Sequence, residues 1–458
     1  MQTYDVLVLG GGTAGTAAAK AAASAGAKVA MFNAGELGGL CILRGCMPTK
    51  TMLHAAHLVH EAEHHQTPGI GHAIPSIDFT AVMANKDAKV ERFKNAKILG
   101  IEAGGYEVID AYARFAGPDT VEAGGEDYRF TKGAVLATGS VPTIPPIPGI
   151  ERVAVWDSDD VMALTDVPDS VIVMGSGAIG LELALFLARM GSRVTQVSRS
   201  PILGKLDPVL TEEMEHIIAT EPNLDLVSRF KATGIDEHDG EVHLHLETEE
   251  GPRTLSAAHF VAATGRHVKL EGMGLEAAGV EHERGRVVHD ACMRTSNPNI
   301  FVAGDATGHL QLLHVANWEG ESAGLGAARA PGEHPVERRL RMGVVFTDPP
   351  LSIVGMTEAE ASEAGLPVAT AQARFAETGR AITMDVQHGI WKLVAHKETG
   401  EILGSQILGP RADDIGHVIS TVLYYHGTVN DLLKMPWYHP TVTEVLLSLA
   451  RELSQKLG

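Results

Sequence analysis

The sequence predicts an α/β protein with two Rossmann-like dinucleotide-binding domains and a C-terminal α+β domain. An apolar run that ends in a glycine-rich turn and opens a helical pattern occurs twice, as TYDVLVLGGGTAG at 3–15 and DSVIVMGSGAIG at 169–180. This repeat is typical of βαβ units that bind nucleotides. From about residue 340 the pattern changes to short β-rich runs followed by helices, which predicts the third domain.

The composition of the chain excludes several classes of partner. Its 458 residues include 57 acidic and 37 basic side chains, for a formal net charge of −20. An acidic surface repels phosphate backbones, so we expect no nucleic-acid partner and no docking to anionic membranes. No apolar run approaches the ~20 residues of a membrane span. The N-terminus lacks the basic region of a signal peptide, and three cysteines are too few for a disulfide framework, so a cytoplasmic location is expected.

The two copies of the repeat share their internal spacing. In each copy, 23 residues separate the first glycine from the end of the second predicted strand, from 10 to 33 and from 175 to 198. Each copy later has an apolar strand that ends in ATG, at Gly139 and at Gly265. Prolines and an arginine-rich segment near 335 mark the expected start of the C-terminal domain.

The glycines of the two turns have separate tasks. The first glycine of each turn permits the tight bend, the second lets a pyrophosphate approach the backbone, and the third lets the helix pack against the strand. One such turn could be ordinary, but two in matched settings predict two dinucleotide sites. These glycines are Gly10, Gly12 and Gly15 in the first copy, and Gly175, Gly177 and Gly180 in the second.

The residue at the end of the second strand is expected to contact the adenosine ribose. Neither copy has an acidic residue there: the first has Asn33, and the second has Ser198 followed by Arg199. A carboxylate would repel a 2′-phosphate and a cation would bind it. The second site is therefore predicted to prefer NADPH to NADH. The alternative is that Arg199 simply faces solvent.

Two cysteines lie close together in the segment GGLCILRGCMPTK at 38–50. Cys41 and Cys46 are followed by Pro48, which suits the first turn of a helix, and a helix N-terminus lowers the pKa of a thiol. The pair is therefore predicted to be redox-active. Two buried structural thiols are the alternative; half of a metal site is improbable, because zinc spacings are shorter. The isolated Cys292 is interpreted as a core residue.

These motifs, in this order, resemble those of the class I pyridine nucleotide–disulfide oxidoreductases, the family of dihydrolipoamide dehydrogenase, glutathione reductase and mercuric reductase. The resemblance extends over essentially the whole chain. It includes the CxxxxC-x-P-x-K pattern, Glu182 after the second turn, and the segments GD at 304–305, LLHVANWEG at 312–320, VVFTDPPLSIVG at 344–355 and YHPTVTE at 438–444. It implies an FAD-binding domain at 1–148 and 268–335, an NAD(P)-binding domain at 149–267 and a dimerisation domain at 336–458.

The resemblance also implies the roles of individual residues. Cys46 would be the thiol against the flavin and Cys41 the outer thiol that exchanges with substrate. Lys50 would lie near the flavin, paired with Glu182. FAD would be held by Gly10, Gly12, Gly15, Asn33, Lys50, Thr138, Gly139 and Asp305, and the pyridine nucleotide by Gly175, Gly177, Gly180, Ser198, Arg199 and Gly265.

The C-terminal motif supplies the expected acid–base pair. The resemblance implies that His439 is the acid–base group for the outer thiol and that Glu444 orients the histidine. It also implies a homodimer in which this histidine comes from the partner subunit. A histidine has a pKa suited to proton transfer near neutral pH. Thr441 and Glu444 also form a capping-box pattern, so both readings can hold.

The chain departs from the family pattern at three places. Leu43 and Arg44 replace the usual Asn–Val between the cysteines, and Arg44 either favours anionic substrates or faces solvent. The second ATG continues as GRHVK rather than GR-x-Pro-Asn. The C-terminal LSQKLG has no cysteine, which argues against mercuric reductase and favours a dihydrolipoamide dehydrogenase-like protein.

Three hypotheses for the function follow. The first is a disulfide oxidoreductase in which electrons pass from NAD(P)H through FAD and the cysteine pair to a small or carrier-bound disulfide, or in the reverse direction. An NADPH-dependent reductase of a disulfide other than lipoamide is a variant of it. The second is a flavin diaphorase or transhydrogenase, and the third is a non-catalytic redox-sensing flavoprotein.

One histidine cluster lies outside the family pattern. His57, His60 and His64 fall within about 60° of one helical face at ~100° per residue. They could bind a metal, but a solvated helix face is the expectation, and we predict no metal site.

Overall fold

The computed structural model describes residues 1–65 and 67–457 and contains both parallel and antiparallel sheets. The strands are β1 (Gln2–Leu9), β2 (Val29–Phe32), β3 (Glu107–Ile109), β4 (Ala113–Phe115), β5 (Thr120–Ala123), β6 (Glu126–Leu136), β7 (Val141–Pro142), β8 (Val155–Trp156), β9 (Ser170–Met174), β10 (Arg193–Ser198), β11 (Leu224–Ser228), β12 (Lys231–His238), β13 (Glu241–Thr248), β14 (Gly251–Ala257), β15 (His259–Ala262), β16 (Arg266–His267), β17 (His282–Glu283), β18 (Arg286–Val287), β19 (Ile300–Val302), β20 (Met342–Val345), β21 (Leu351–Gly355), β22 (Val368–Arg374), β23 (Ile390–His396) and β24 (Ile402–Leu408).

The α-helices are α1 (Thr13–Ser24), α2 (Leu40–Arg44), α3 (Cys46–His64), α4 (Phe79–Glu102), α5 (Ser158–Met162), α6 (Ala178–Arg189), α7 (Pro208–Thr220), α8 (Leu275–Ala278), α9 (Leu313–Ala327), α10 (Glu358–Glu363), α11 (Gly379–Ile382), α12 (Ala412–Tyr424), α13 (Val429–Lys434) and α14 (Val445–Ser454). Short 3₁₀ turns lie at Ile150–Arg152, Gly304–Thr307, Phe375–Glu377 and Val442–Glu444. No helix in the described ranges is long and apolar enough to cross a membrane.

The first compact unit comprises residues 1–51, 83–143 and 265–337. Its main sheet has the order β3-β2-β1-β6-β5-β4, and β19 also pairs with β6. Strands β1, β2, β6 and β19 pair in parallel, and the last four residues of β1 are all buried. A continuous apolar run of this kind is typical of a parallel strand that is covered on both faces.

The second compact unit comprises residues 52–82, 144–264 and 338–458. It contains the parallel sheet β11-β10-β9-β15-β8, the antiparallel sheet β12-β13-β14, and the antiparallel sheet β20-β21-β24-β23-β22. Helix α14 buries Val445, Leu446, Leu449, Ala450 and Leu453, which lie on one face at helical spacing, in the core of the last sheet.

The structure confirms the predicted fold class. The units β1-α1-β2 and β9-α6-β10 are the two copies of the repeat. The first ATG follows β6, which lies in the sheet of β1, and the second follows β15, which lies in the sheet of β9. The change of pattern near 340 coincides with β20. Apart from residues 265–267 and 336–337, the predicted NAD(P)-binding and dimerisation segments fall within one compact unit, together with residues 52–82. The three-domain boundaries stay a prediction.

Candidate active site

The first glycine turn lies between β1 and α1 and is closely packed. A Cβ atom on Gly10 (φ +115°) would lie 2.2 Å from the Ala137 carbonyl oxygen, and one on Gly15 would lie 1.7 Å from the Gly10 carbonyl oxygen. A Cβ on Gly12 would meet nothing within 4 Å. Gly12 is also the N-cap of α1 and provides no side-chain cap, so the first amides of the helix face open space. This arrangement fits a dinucleotide phosphate.

The second turn repeats this arrangement between β9 and α6. A Cβ atom on Gly175 would lie 2.2 Å from the Ala263 carbonyl oxygen, and one on Gly180 would lie 2.7 Å from the Gly175 carbonyl oxygen. Gly177, the N-cap of α6, again has nothing within 4 Å of its Cβ position and no side-chain cap. The backbone of both turns therefore fits the two dinucleotides that the sequence predicts, FAD and NAD(P).

The strands that follow the two helices end differently. Asn33 follows β2, its amide nitrogen donates to the Gly35 carbonyl (2.8 Å), and its Oδ1 is 2.5 Å from where a Cβ of Gly11 would lie. Ser198 is buried, and its hydroxyl donates to the Ser200 carbonyl (2.6 Å). Arg199 is exposed. The Ser198 hydroxyl hydrogen is thus already used within the protein, and Arg199 is the predicted residue with donors to offer a phosphate.

A hydrogen-bonded network within the first unit surrounds Asp305. Ser140 Oγ donates to Asp305 Oδ2 (2.6 Å), Arg266 Nε donates to Ser140 Oγ (2.9 Å), and an Arg266 terminal nitrogen donates to the Ser140 carbonyl (2.7 Å). Ser140 and Arg266 directly follow Gly139 and Gly265. The structure thus brings the two ATG turns and the GD turn together.

Ser140 and Arg266 are missing from the residues that the sequence indicates. Their position immediately after each ATG is the signal that could have identified them. Thr138 is exposed beside this network, in the first ATG. The GD turn at 304–305 is stabilised by Glu319, which is fully buried and accepts a hydrogen bond from the Gly304 N–H (2.9 Å).

The two cysteines lie on consecutive helices, within the residues of the first unit. Cys41 is half-buried in α2, Cys46 is exposed at the start of α3, and neither forms a disulfide bond. A hydrogen bond to Cys46 and burial raise the pKa of the Cys41 thiol, while the charge of Lys50 lowers it by a smaller amount. These contacts favour the protonated form of the Cys41 thiol. Pro48 lies in the first turn of α3, as predicted.

The predicted partners Lys50 and Glu182 belong to different compact units. Lys50 is half-buried on α3. Glu182 is buried on α6, and its Oε1 accepts the Phe346 N–H (3.0 Å). Their pairing stays a prediction.

His439 and Glu444 are hydrogen-bonded to each other. His439 Nδ1 lies 3.1 and 3.0 Å from the two carboxylate oxygens of Glu444, and Glu444 Oε2 also accepts the Thr441 N–H (2.9 Å). The Thr441 N–H, with a smaller contribution from His439, lowers the pKa of Glu444. When the neutral ring donates from Nδ1, its lone pair is on Nε2. One carboxylate therefore caps the turn at Val442–Glu444 and also orients the histidine. The capping box is confirmed, and the acid–base role of His439 stays a prediction.

The histidine face of α3 differs from the expectation of a solvated surface. His57, His60 and His64 are all half-buried, and burial lowers the pKa of His57. His60 Nδ1 is 3.2 Å from Glu221, whose carboxylate also accepts two hydrogen bonds from Arg189 (both 2.8 Å). The expectation was wrong because this face packs on a buried ion pair from distant sequence. Among the described residues, no group of three His, Cys, Asp or Glu side chains is arranged to hold a metal.

Two further expectations concern exposure. Cys292 is half-buried rather than a core residue, so its interpretation as a core filler was wrong. Arg44 is exposed on α2.

Comparisons with known proteins agree with this geometry. Residues 4–320 match the family model of the pyridine nucleotide-disulphide oxidoreductases, and residues 342–450 match the model of their dimerisation domain. The chain is 34% identical over 450 residues to a mercuric reductase of Streptomyces lividans, covering 96% of this chain and 94% of that one. It is 33% identical over 461 residues to a dihydrolipoyl dehydrogenase of Thermus scotoductus, covering 100% and 98%.

A solved structure is also similar to this chain. It is the Cu(II) complex of RclA, an HOCl-induced flavoprotein disulfide reductase of Escherichia coli, with a TM-score of 0.86 and 26% sequence identity over 99% of this chain and 100% of that chain.

Proposed function

The chain belongs to the pyridine nucleotide-disulphide oxidoreductase family, and from that premise we propose that it reduces a small or carrier-bound disulfide with NADPH. The family implies FAD and a pyridine nucleotide as cofactors. The observation that carries the proposal is the hydrogen bond between Cys41 on α2 and Cys46 at the start of α3, in the compact unit that contains the first glycine turn. The preference for NADPH rests on Arg199.

The residues of the first unit fit FAD. The open face of Gly12 and the uncapped amides of α1 would receive the pyrophosphate, and Asp305, oriented by Ser140, would bind the ribityl chain. When bound, FAD supplies the two-electron transfer between the nicotinamide and the cysteines. Lys50, close enough to act on the pKa of Cys41, would place a positive charge beside the reacting sulfurs.

The thiol chemistry is assigned to Cys41, Cys46 and His439. His439 takes the proton of the Cys41 thiol, and the resulting thiolate attacks one sulfur of the substrate disulfide to form a mixed disulfide. The substrate thiolate that is released takes this proton back from His439. The Cys46 thiolate then attacks the Cys41 sulfur and releases the second substrate thiol. The cysteine pair is oxidised by two electrons and the substrate is reduced by two. Oxidation of a dithiol such as dihydrolipoamide is the same path in reverse.

The proposal includes a homodimer and a cytoplasmic location. The His439 side chain is 75% exposed on the segment that matches the dimerisation model. This exposure supports a role in which its Nε2 serves the cysteine pair of a second copy. The cytoplasmic location rests on the N-terminal sequence and the small number of cysteines.

A second candidate is reduction of a thiophilic metal ion held by the same two thiols. Relatives of this chain are named mercuric reductase, and RclA was solved as a Cu(II) complex. Thiolates bind soft metal ions such as Cu(I) and Hg(II). This candidate uses Cys41 and Cys46 as ligands.

A substrate panel separates these candidates. NADH and NADPH would each be tested with lipoamide, glutathione disulfide, Cu(II) and Hg(II), using the wild type, Cys41→Ser and the matched control Cys292→Ser. We expect NADPH-driven disulfide turnover in the wild type and in Cys292→Ser, and its loss in Cys41→Ser with NADPH-dependent bleaching of the flavin preserved. Undiminished disulfide turnover in Cys41→Ser would disprove the dithiol mechanism, and turnover with metal ions alone would favour the second candidate.

A further inference from the structure

The carboxyl ends of two neighbouring parallel strands each lead into an arginine. Strand β10 ends at Ser198 and β11 ends at Ser228, and these two residues are paired in register. Arg199 and Arg229 follow them directly. The Arg229 backbone N–H donates to the Ser198 carbonyl (3.0 Å), so Arg229 is fixed against the end of β10, beside Arg199.

The backbone of Arg229 adopts an unfavourable conformation. Its φ is +60°, in the left-handed region, which is sterically unfavourable for a residue with a Cβ atom. Such residues often occur at ligand sites, where the surrounding structure holds them in place. The hydrogen bond to Ser198 and the 3.5 Å approach of its guanidinium to Ser228 Oγ are the contacts that hold it.

Both guanidinium groups are exposed and have no ion-pair partner within the described part of the chain. Other arginines of this acidic protein, among them Arg189 and Arg374, are paired with glutamates. The guanidinium N–H groups of the two unpaired arginines, at the carboxyl ends of neighbouring strands, are therefore available to bind an anion. The Ser198 hydroxyl does not compete for it, because it donates to Ser200.

We propose that Arg229 acts with Arg199 as a specificity-determining residue that binds the 2′-phosphate of NADPH. This inference rests on the proposed function, because it assumes a pyridine nucleotide on the second glycine turn. In a βαβ unit the adenosine ribose lies at the end of the second strand, here β10, and Arg229 is bound to that end by its backbone. A planar guanidinium can donate two parallel hydrogen bonds to phosphate oxygens. NADH has a neutral 2′-hydroxyl and gains nothing comparable.

The experiment measures binding to the FAD-loaded protein without turnover. Isothermal titration would compare 2′,5′-ADP with 5′-AMP, which lacks the 2′-phosphate, in the wild type and in Arg229→Asn. Asparagine removes the charge and tolerates the left-handed conformation. We expect affinity for 2′,5′-ADP to fall about tenfold or more, affinity for 5′-AMP to stay unchanged, and the loss to shrink as salt rises.

Two further variants serve as controls. Arg193→Ala removes an exposed arginine from the opposite, amino end of β10 and is expected to leave both affinities unchanged. Arg229→Lys keeps the charge without the planar geometry and should retain part of the preference for 2′,5′-ADP. Unchanged 2′,5′-ADP binding in Arg229→Asn, or an equal loss for both ligands, would overturn the assignment.

The outcomes also separate this inference from the proposed function. If the wild type binds 2′,5′-ADP no more tightly than 5′-AMP, the phosphate site and the NADPH preference are rejected together. Disulfide reduction would still be judged separately, by Cys41→Ser with NADH. If Cys41→Ser retains full disulfide turnover, the dithiol mechanism is rejected, whereas nucleotide binding at Arg229 does not depend on that cysteine.

Discussion

The two glycine turns have the same geometry up to the ends of the helices that follow them and differ from there onward. Helices α1 and α6 end at equivalent positions of the two copies, α1 at Ser24 and α6 at Arg189. The Arg189 side chain is buried. After the next strand, the first copy has the neutral Asn33 against its own turn, whereas the second has Arg199. We infer that the shared part would bind the pyrophosphate, which all dinucleotides have, and that the variable part would select the dinucleotide.

The largest expected effect comes from closing the open face of one turn at a time. Gly12→Ala and Gly177→Ala each place a methyl group where the structure has nothing within 4 Å, so both proteins should fold. We expect Gly12→Ala to lose FAD and Gly177→Ala to keep FAD but lose affinity for NADPH, each by about 4 kcal/mol, roughly a thousandfold, through two lost charge-assisted hydrogen bonds. Flavin absorbance and calorimetry measure the two affinities.

Each of these variants is the control for the other. If Gly177→Ala is isolated without flavin, or Gly12→Ala retains it fully, the assignment of one cofactor to each turn is wrong.

The second prediction concerns the ion pair between Arg189, at the end of α6, and Glu221, which has no counterpart at Ser24, the end of α1. Burial alone would raise the pKa of Glu221, but its hydrogen bonds to Arg189 and His60 outweigh burial and lower that pKa from 4.5 to about 2. The carboxylate therefore stabilises the fold above pH 4.5, and this contribution is lost as the pH falls from 4.5 towards 2. Glu221→Gln leaves the buried Arg189 guanidinium with the partly exposed Asp348 (3.0 Å) as its remaining carboxylate, and should lower the free energy of unfolding by about 3 kcal/mol at neutral pH.

Denaturant unfolding at several pH values measures this effect. Glu122→Gln is the matched control, because Glu122 pairs with Arg114 in the first unit but at the surface, where ion pairs contribute little. A loss in Glu221→Gln that does not shrink as the pH falls below 4.5 would contradict the assigned origin.

The smallest effect concerns the network beside the first turn. Ser140→Ala removes the hydroxyl that donates to Asp305, and we expect FAD affinity to fall about tenfold, since one hydrogen bond to a charged group is lost. Affinity for 2′,5′-ADP, which belongs to the second turn, should not change. Flavin rebinding to apoprotein, followed by fluorescence quenching, measures it.

Thr131→Ala is the control for this variant, because Thr131 also donates a hydroxyl hydrogen to an aspartate of the first unit, Asp5. Equal flavin affinity in Ser140→Ala and Thr131→Ala would remove the positioning role of Ser140.

Local sequence patterns predict much of this molecule. Contacts between residues close in the chain form the two glycine turns, the strands beside them and the start of α3. Spacing and residue type are therefore enough to predict these features. The capping box of Thr441 and Glu444 could be predicted for the same reason.

Other features depend on residues that are distant in the chain. Ser140 is separated from Arg266 by 126 positions and from Asp305 by 165, and no periodicity links them. The histidine face of α3 gave a wrong expectation because the Glu221–Arg189 pair that covers it comes from another part of the sequence. Arg229 could not be connected to the end of β10 without the register of β11.

The double task of Glu444 links the integrity of the last helix to the readiness of the enzyme. The carboxylate that starts the C-terminal turn is the same group that holds the imidazole in place. Unwinding of the C-terminal turn would therefore release the imidazole of His439 at the same time as the cap, so the order of this histidine depends on the folding of the last helix.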